Sequence, residues 1–214
     1  MTVTQGPAPV RSLRLVSTLS VAGAVMGLAL VSVHRATEPA ILAHQERVLQ
    51  AAIREVLGQP ARFETLYVVA GGLSASPPTE PGSGERVHLG FDAQDRPLGF
   101  AIAAAEPGFQ DQVRLLFGFD PSSGRLLGMK VLESKETPGL GDKIEKDAAF
   151  VGQFVGARAP LLGVKPGRGS GEDPREVDLI TGATISSRTV VSIINKALER
   201  LGPALESYAA EGGP

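Results

Sequence analysis

Val87-His88-Leu89-Gly90-Phe91 and Leu98-Gly99-Phe100-Ala101-Ile102-Ala103 stand on either side of Asp92-Ala93-Gln94-Asp95. The pattern returns further on, where Val113 to Phe119 and Arg125 to Leu132 flank Asp120-Pro121-Ser122-Ser123-Gly124. Runs rich in aliphatic and aromatic residues, separated by short Asp, Pro and Gly clusters, predict antiparallel hairpins. The two hairpins resemble each other. Phe91-Asp92 and Phe119-Asp120 lead into the turns, and Gly99 and Gly128 sit early in the return strands. Glu106-Pro107-Gly108 and Glu136-Thr137-Pro138-Gly139 follow. This is a weak internal repeat, of the kind that shared turn chemistry can produce alone.

Helical patterns lie outward from the hairpins on both sides. After Pro39, Ile41, Leu42, Val48, Leu49, Ile53, Val56 and Leu57 recur at three-to-four spacing, ended by Gly58 and Pro60. Residues 71–86 are rich in Gly, Ser and Pro and read as a surface loop. A short helix is expected over 143–156, a loop over 165–176 and a brief strand from Val177 to Ile180. The last helix carries Val190, Ile193, Ile194, Ala197, Leu198 and Leu201 on one face, and fraying is expected after Gly202. Helices before and after a set of hairpins define an α+β domain.

Leu15 to Val33 runs without a charge. As a helix it reaches roughly 28 Å, close to the thickness of a bilayer's hydrocarbon core. A cleaved signal peptide would have a shorter apolar stretch ending in a small-x-small site. The candidate Ala22-Gly23-Ala24 lies in mid-run, so an uncleaved anchor is the better reading. Arg11 and Arg14 precede the run, whereas Arg35 after it is balanced by Glu38. That bias puts the N-terminus in the cytoplasm and the rest of the chain outside.

Composition removes several function classes. The 214 residues carry 21 Lys+Arg against 23 Asp+Glu, which gives no basic face for nucleic acid. No cysteine is present, so thiolate catalysis and cysteine-held iron–sulfur clusters are excluded. The 3 histidines, His34, His44 and His88, lack a second histidine at ligand spacing, and no metal site is expected. Redox chemistry here would need a borrowed cofactor.

The chemically informative stretch is Asp178-Leu179-Ile180-Thr181-Gly182-Ala183-Thr184-Ile185-Ser186-Ser187. A short strand enters it and an amphipathic helix leaves it. Gly182 and Ala183 keep the turn small, and the helix start offers unpaired N–H groups and a favourable dipole to a phosphate. Ser and Thr are also favoured helix caps, and Ser186 or Ser187 could serve only that purpose. On physical grounds alone capping is the stronger of the two readings.

Asp178, Thr181, Gly182, Ala183 and Thr184 match the flavinylation motif D-x-x-S/T-G-A-T, and Ser186-Ser187 match its usual continuation. Glu136-Thr137-Pro138-Gly139-Leu140-Gly141-Asp142-Lys143 is a turn by composition. It also resembles the E-T-P-G-L-G loop of the G subunit of Rnf electron-transport complexes, shared with the C subunit of sodium-pumping NADH:quinone reductases. Most of the chain follows this family's order, from the anchor with Thr37-Glu38-Pro39 to the threonine motif. Length and Asp142-Lys143-Ile144-Glu145 favour the Rnf protein. The 71–86 stretch departs from the family and leaves the local alignment open.

The resemblance implies an FMN esterified through its phosphate to Thr184 by a separate flavin transferase. It implies flavin contacts at Glu136, Thr137, Gly139 and Leu140, and around Asp178, Thr181, Gly182, Ala183, Ser186 and Ser187. The implied organisation is a cytoplasmic tail (1–12), a transmembrane anchor (13–35), an extracytoplasmic FMN-binding domain (36–205) and a flexible tail (206–214). The chain would be a single-pass protein of the bacterial inner membrane, with its domain on the periplasmic side, in contact with lipid and with the other membrane and peripheral subunits. Electrons would pass between reduced ferredoxin and NAD, coupled to ion transport, with no complete reaction from this chain alone. The alternatives are the quinone-reductase C subunit and, from another class, a membrane-anchored binding or assembly module without flavin.

Overall fold

The computed structural model describes residues 12–69, 72–77 and 84–210. The chain divides into two units, residues 1–47 and 48–214. Helix α1 (Ser12–Val56) begins in the first. There its apolar side chains, among them Leu19, Met26, Leu28 and Leu30, are exposed. This is the one helix among the described residues that is long and apolar enough to cross a membrane. Pro39 does not start a second helix, as the sequence pattern suggests, but lies inside α1. Proline keeps a helical φ and forfeits one hydrogen bond, which a long helix survives.

The second unit is built on a six-stranded antiparallel sheet. Its strands are β1 (Arg62–Val69), β2 (Gly72–Ser74), β3 (Arg86–Phe91), β4 (Pro97–Pro107), β5 (Gln112–Asp120) and β6 (Arg125–Glu133). They lie in the order β2-β1-β3-β4-β5-β6, so β3 to β6 form the two expected hairpins as one meander. In the first turn, Asp92 Oδ1 accepts the N–H groups of Gln94 and Arg96 at 2.8 and 2.9 Å. In the second, Asp120 Oδ1 accepts from the Ser122 N–H at 2.9 Å. Each aspartate mimics a backbone turn, which is why the Phe-Asp pairs announce them. Strands β1 and β2 escape the sequence reading. Charged Arg62 and Glu64 interrupt the pattern of the first, and the second occupies residues 72–74 of the expected loop. Residues 71 and 78–83 of that loop lie outside the described residues, as do 1–11 and 211–214.

Alternation along the strands gives the sheet two unlike faces. Phe100, Ile102, Leu115 and Phe117 belong to the main core, together with Val190, Ile194 and Leu201 of helix α4 (Thr184–Ala210). Ala101 and Leu116 belong to a second cluster with Ala52, Ile53, Val56 and Leu57, from the end of α1 and the residue after it. At Gly90 and Gly118 that face carries no side chain, because the end of α1 lies close to it. A Cβ on Gly118 would stand 2.6 Å from the Val56 carbonyl oxygen, and one on Gly90 2.7 Å from Leu57 Cδ1. Gly90 pairs with Gly99 and Gly118 with Gly128. A Cβ on Gly99 would instead meet the Phe119 carbonyl oxygen of the next strand at 2.7 Å, so of the four it is Gly90 and Gly118 that admit the α1 end.

Between the sheet and α4 come helices α2 (Lys143–Lys146) and α3 (Ala148–Gly152). The single helix expected over 143–156 is broken at Asp147. Its backbone is extended there, and its carboxylate accepts the N–H groups of Ala149 and Phe150 to cap a new helix. Strands β7 (Leu162–Val164) and β8 (Glu176–Asp178) form a small parallel pair. α4 continues beyond Gly202, where fraying was expected, as far as Ala210. Leu205 is fully buried and Tyr208 packs edge-on against Phe100, so packing holds the end that propensity would release.

Candidate functional site

Two loops meet the first turn of α4 at one end of the sheet. The loop after β6 turns at Thr137, whose carbonyl accepts the N–H groups of Leu140 and Gly141 at 3.2 and 3.0 Å. Gly139 takes a φ of 78° at this turn, a conformation side chains disfavour. The loop between β4 and β5 comes alongside, and the Thr137 hydroxyl donates to Gln110 Oε1 at 3.0 Å.

Glu136 joins all three segments. It is 5% exposed. Its Oε1 accepts the N–H groups of Phe109 and Gln110 at 2.9 and 3.0 Å. Its Oε2 accepts from the Ser186 hydroxyl at 2.5 Å, across to α4. Burial alone would push this carboxyl up. The Ser186 hydroxyl and the N–H groups of Gln110, Asp111 and Phe109 outweigh it and hold Glu136 below its ordinary value. Two glycines make room for the side chain. A Cβ on Gly141 would stand 2.7 Å from Glu136 Cβ and 2.8 Å from its Oε2, and one on Gly108 would collide with Oε1.

The motif turn is fixed from within. Gly182 adopts a φ of 82°. The Ser187 hydroxyl, buried, accepts from the Ile180 N–H at 3.2 Å and donates to the Ala183 carbonyl at 2.8 Å. Neither serine caps α4, which corrects the capping reading. Ser186 reaches out to Glu136, and Ser187 ties the turn to its own helix. Thr184, the first residue of α4, is exposed, and its hydroxyl bonds to none of the described residues. The N–H groups of the first helical turn have no intrahelical partner, and that turn carries no acidic residue.

These elements enclose a cleft of about 330 Å³. Glu136, Thr137, Leu140, Gly182, Ala183, Thr184 and Ser186 line it, so seven of the residues singled out in the sequence come together. Four do not. Asp178 is exposed at the end of β8, its backbone bonded to the Gln153 side chain at 2.7 and 3.3 Å. Thr181 is exposed, Ser187 lies behind the turn, and Gly139 shapes its loop from outside. The sequence reading missed Phe109, Gly141 and Ile185, which also line the cleft, and Gly108, which makes room for Glu136. Phe109 offered one signal: a lone aromatic residue in a polar turn. It is 66% exposed, Leu140 50% and Ile185 51%, which gives the cleft an open apolar rim. A roomier cleft of about 400 Å³, between Phe119, Asn195 and Glu206, gathers none of the motif residues.

The cleft suits a flavin mononucleotide by its chemistry. Apolar side chains at the rim match a flat aromatic ring, and free N–H groups at a helix start match a phosphate. Residues 108–199 match the FMN-binding domain family. The G subunit of the ion-translocating oxidoreductase complex of Methanosarcina acetivorans is 28% identical over 187 residues, which cover 87% of this chain and 92% of that protein. The corresponding G subunit of Escherichia coli strain K12 is 33% identical over 164 residues, covering 73% of this chain and 75% of that protein. Among solved structures, NqrC of Shewanella oneidensis shares the fold, with a TM-score of 0.59 at 18% identity, covering 77% of this chain and 97% of that one. The chain belongs to the family of the G subunits of ion-translocating oxidoreductase complexes.

Proposed function

We propose that this chain is a membrane-anchored electron-transfer subunit carrying an FMN esterified through its phosphate to Thr184. The observation that carries the reading is a difference between hydroxyls. At the motif turn Ser186 is committed to Glu136 and Ser187 to the backbone. Thr181 is exposed but does not line the cleft, whereas Thr184 is free, exposed and at its edge. A phosphoester needs a hydroxyl that a separate flavin transferase can reach and whose loss from other bonds costs nothing. Thr184 meets both conditions.

Bound there, FMN supplies one- and two-electron carriage, which no side chain of this protein offers. The protein's own residues hold and shape. The first turn of α4 faces the phosphate, Leu140, Ile185 and Phe109 shelter the ring, and Glu136 fixes the wall. Thr184 is a point of attachment and not a nucleophile during turnover.

Family membership supports assembly with the other membrane and peripheral subunits of a complex that moves electrons between ferredoxin and NAD and couples them to ion transport. The apolar part of α1 supports a single-pass anchor in contact with lipid in the bacterial inner membrane. The Arg11 and Arg14 bias supports a periplasmic domain. Likeness to NqrC is a likeness of fold and does not favour the quinone-reductase reading over this one.

The test is co-expression of the full chain with a flavin transferase. Flavin fluorescence should stay with the protein band on a denaturing gel and disappear in Thr184→Val, and mass spectrometry should place the added mass on the peptide containing Asp178 to Arg188. A dark wild-type band beside a labelled positive control overturns the reading.

A further inference from the structure

We propose that Arg188 is a positioning residue that clamps the phosphodiester formed at Thr184. This rests on the proposed attachment of FMN and assigns a role to a residue outside the motif.

Acids favour a helix N-terminus, where the macrodipole acts within the first turn, and a cation gains nothing there. α4 has no acid there, yet Arg188 stands in its second turn. The Arg188 side chain is exposed and forms no ion pair or hydrogen bond with the described residues. Among the described residues nothing pairs with the guanidinium. An unpaired guanidinium one turn from an anion-friendly helix start is a group that a bound phosphate can engage.

Helix geometry supplies the ligand's place. Residues four apart lie one above the other on a helix. Long side chains on a helix also lean back over the preceding turn. Arg188 therefore leans toward Thr184, four residues before it. An ester at Thr184 leaves one negative charge on the phosphodiester, beside the free N–H groups of the same turn. A guanidinium offers it planar, charge-assisted hydrogen bonds. The helix start and Arg188 then hold the phosphate from two sides. The tether keeps one direction, and the ring stays over the cleft instead of swinging free.

The experiment uses the full chain in detergent, co-expressed with a flavin transferase, as wild type, Arg188→Gln and Arg188→Lys. Labelling is read on a denaturing gel, with Thr184→Val as the blank. Ring mobility is read by flavin fluorescence anisotropy and iodide quenching across a salt series. The phosphodiester itself is read by its phosphorus-31 chemical shift. Loaded Arg188→Gln should shift the phosphorus signal and reduce the docked fraction of the ring by about fivefold at low salt. Arg188→Lys should recover part of both. Wild type at high salt should approach Arg188→Gln.

Loaded Arg188→Gln with wild-type anisotropy and phosphorus shift overturns the clamp. So does a set in which Arg188→Gln takes no label while Arg188→Lys does, because the charge then acts before the ester exists. Loss of label from both variants also overturns it, since no charge-dependent hold on a formed ester survives. An unlabelled wild type, or a labelled Thr184→Val, overturns the attachment site instead.

Discussion

The wall of the cleft and its lip are built on opposite principles. At the wall nearly every polar atom is spoken for. Glu136 accepts from two backbone N–H groups and a serine hydroxyl, and two glycines leave just the space its carboxylate fills. At the lip nothing is spoken for. The Thr184 hydroxyl bonds to none of the described residues, and Phe109, Leu140 and Ile185 present apolar surface to water. The wall contributes stability and the lip contributes none that packing can see. A site for a large tethered group needs both, since groups engaged with the protein are unavailable to a ligand. Substitutions should therefore separate into those that unfold without touching chemistry and those that abolish chemistry without unfolding.

The largest loss of stability is expected for Gly141→Val. Its Cβ would meet Glu136 Cβ at 2.7 Å, Glu136 Oε2 at 2.8 Å and Ser186 Oγ at 3.0 Å. Overpacking and a displaced carboxylate combine, for a cost of about 3 kcal/mol or more. Thermal unfolding of the full chain in detergent measures it. A melting temperature within a degree of wild type would mean that the wall is soft.

Glu136→Gln keeps the shape and removes the charge. It should cost about 2 kcal/mol, because an amide can accept from Phe109 and Gln110 but less strongly. The pH dependence has a definite sign. The carboxyl is held below its ordinary value in the folded protein, so its contribution is fully present above the unfolded value and is lost as pH falls through the folded one. Wild type should lose more stability on acidification below the ordinary carboxyl range than Glu136→Gln does. Parallel acid curves in urea unfolding would show that Glu136 is not held in its charged form.

Ser187→Ala should cost about 1–2 kcal/mol, because the buried Ile180 N–H loses its acceptor. Faster hydrogen exchange at Ile180 than in the strands of the sheet would locate the loss at the turn.

How much of this was legible beforehand differs in the same way. The hairpins could be read because strand alternation and Asp turns are local signals, written in consecutive residues. Thr184 could be picked out by its motif. The roles of its neighbours could not, because hydrogen-bond commitment is tertiary. Ser186 and Ser187 are adjacent in sequence and look alike, yet one reaches a carboxylate fifty positions away while the other ties the turn beneath it. Helix capping was the better sequence argument for them, and long-range geometry overrode it. Pro39 and Gly202 illustrate the same limit along the helices. Both are local stop signals, and α1 and α4 run through them. Leu205 and Tyr208 supply the packing that keeps α4 going, which no local pattern announces.

The smallest effect on stability should be the most informative. Thr184→Val removes a hydroxyl that bonds to none of the described residues on an exposed first-turn position. Valine is nearly the same size and shape. The change should move unfolding by no more than about 0.5 kcal/mol. Its effect on flavin attachment should be complete, since an ester cannot form without the oxygen. The contrast with Ser186→Ala sharpens the point. That change should cost about 1 kcal/mol by releasing Glu136, while leaving Thr184 able to take the label. If Thr184→Val destabilised the chain as much as Ser186→Ala, the lip would be structural after all, and the division of labour between the two sides of the cleft would fail. If Ser186→Ala alone abolished labelling in a folded protein, the wall would be taking part in attachment, and the line between the two would have to be drawn one turn further along α4.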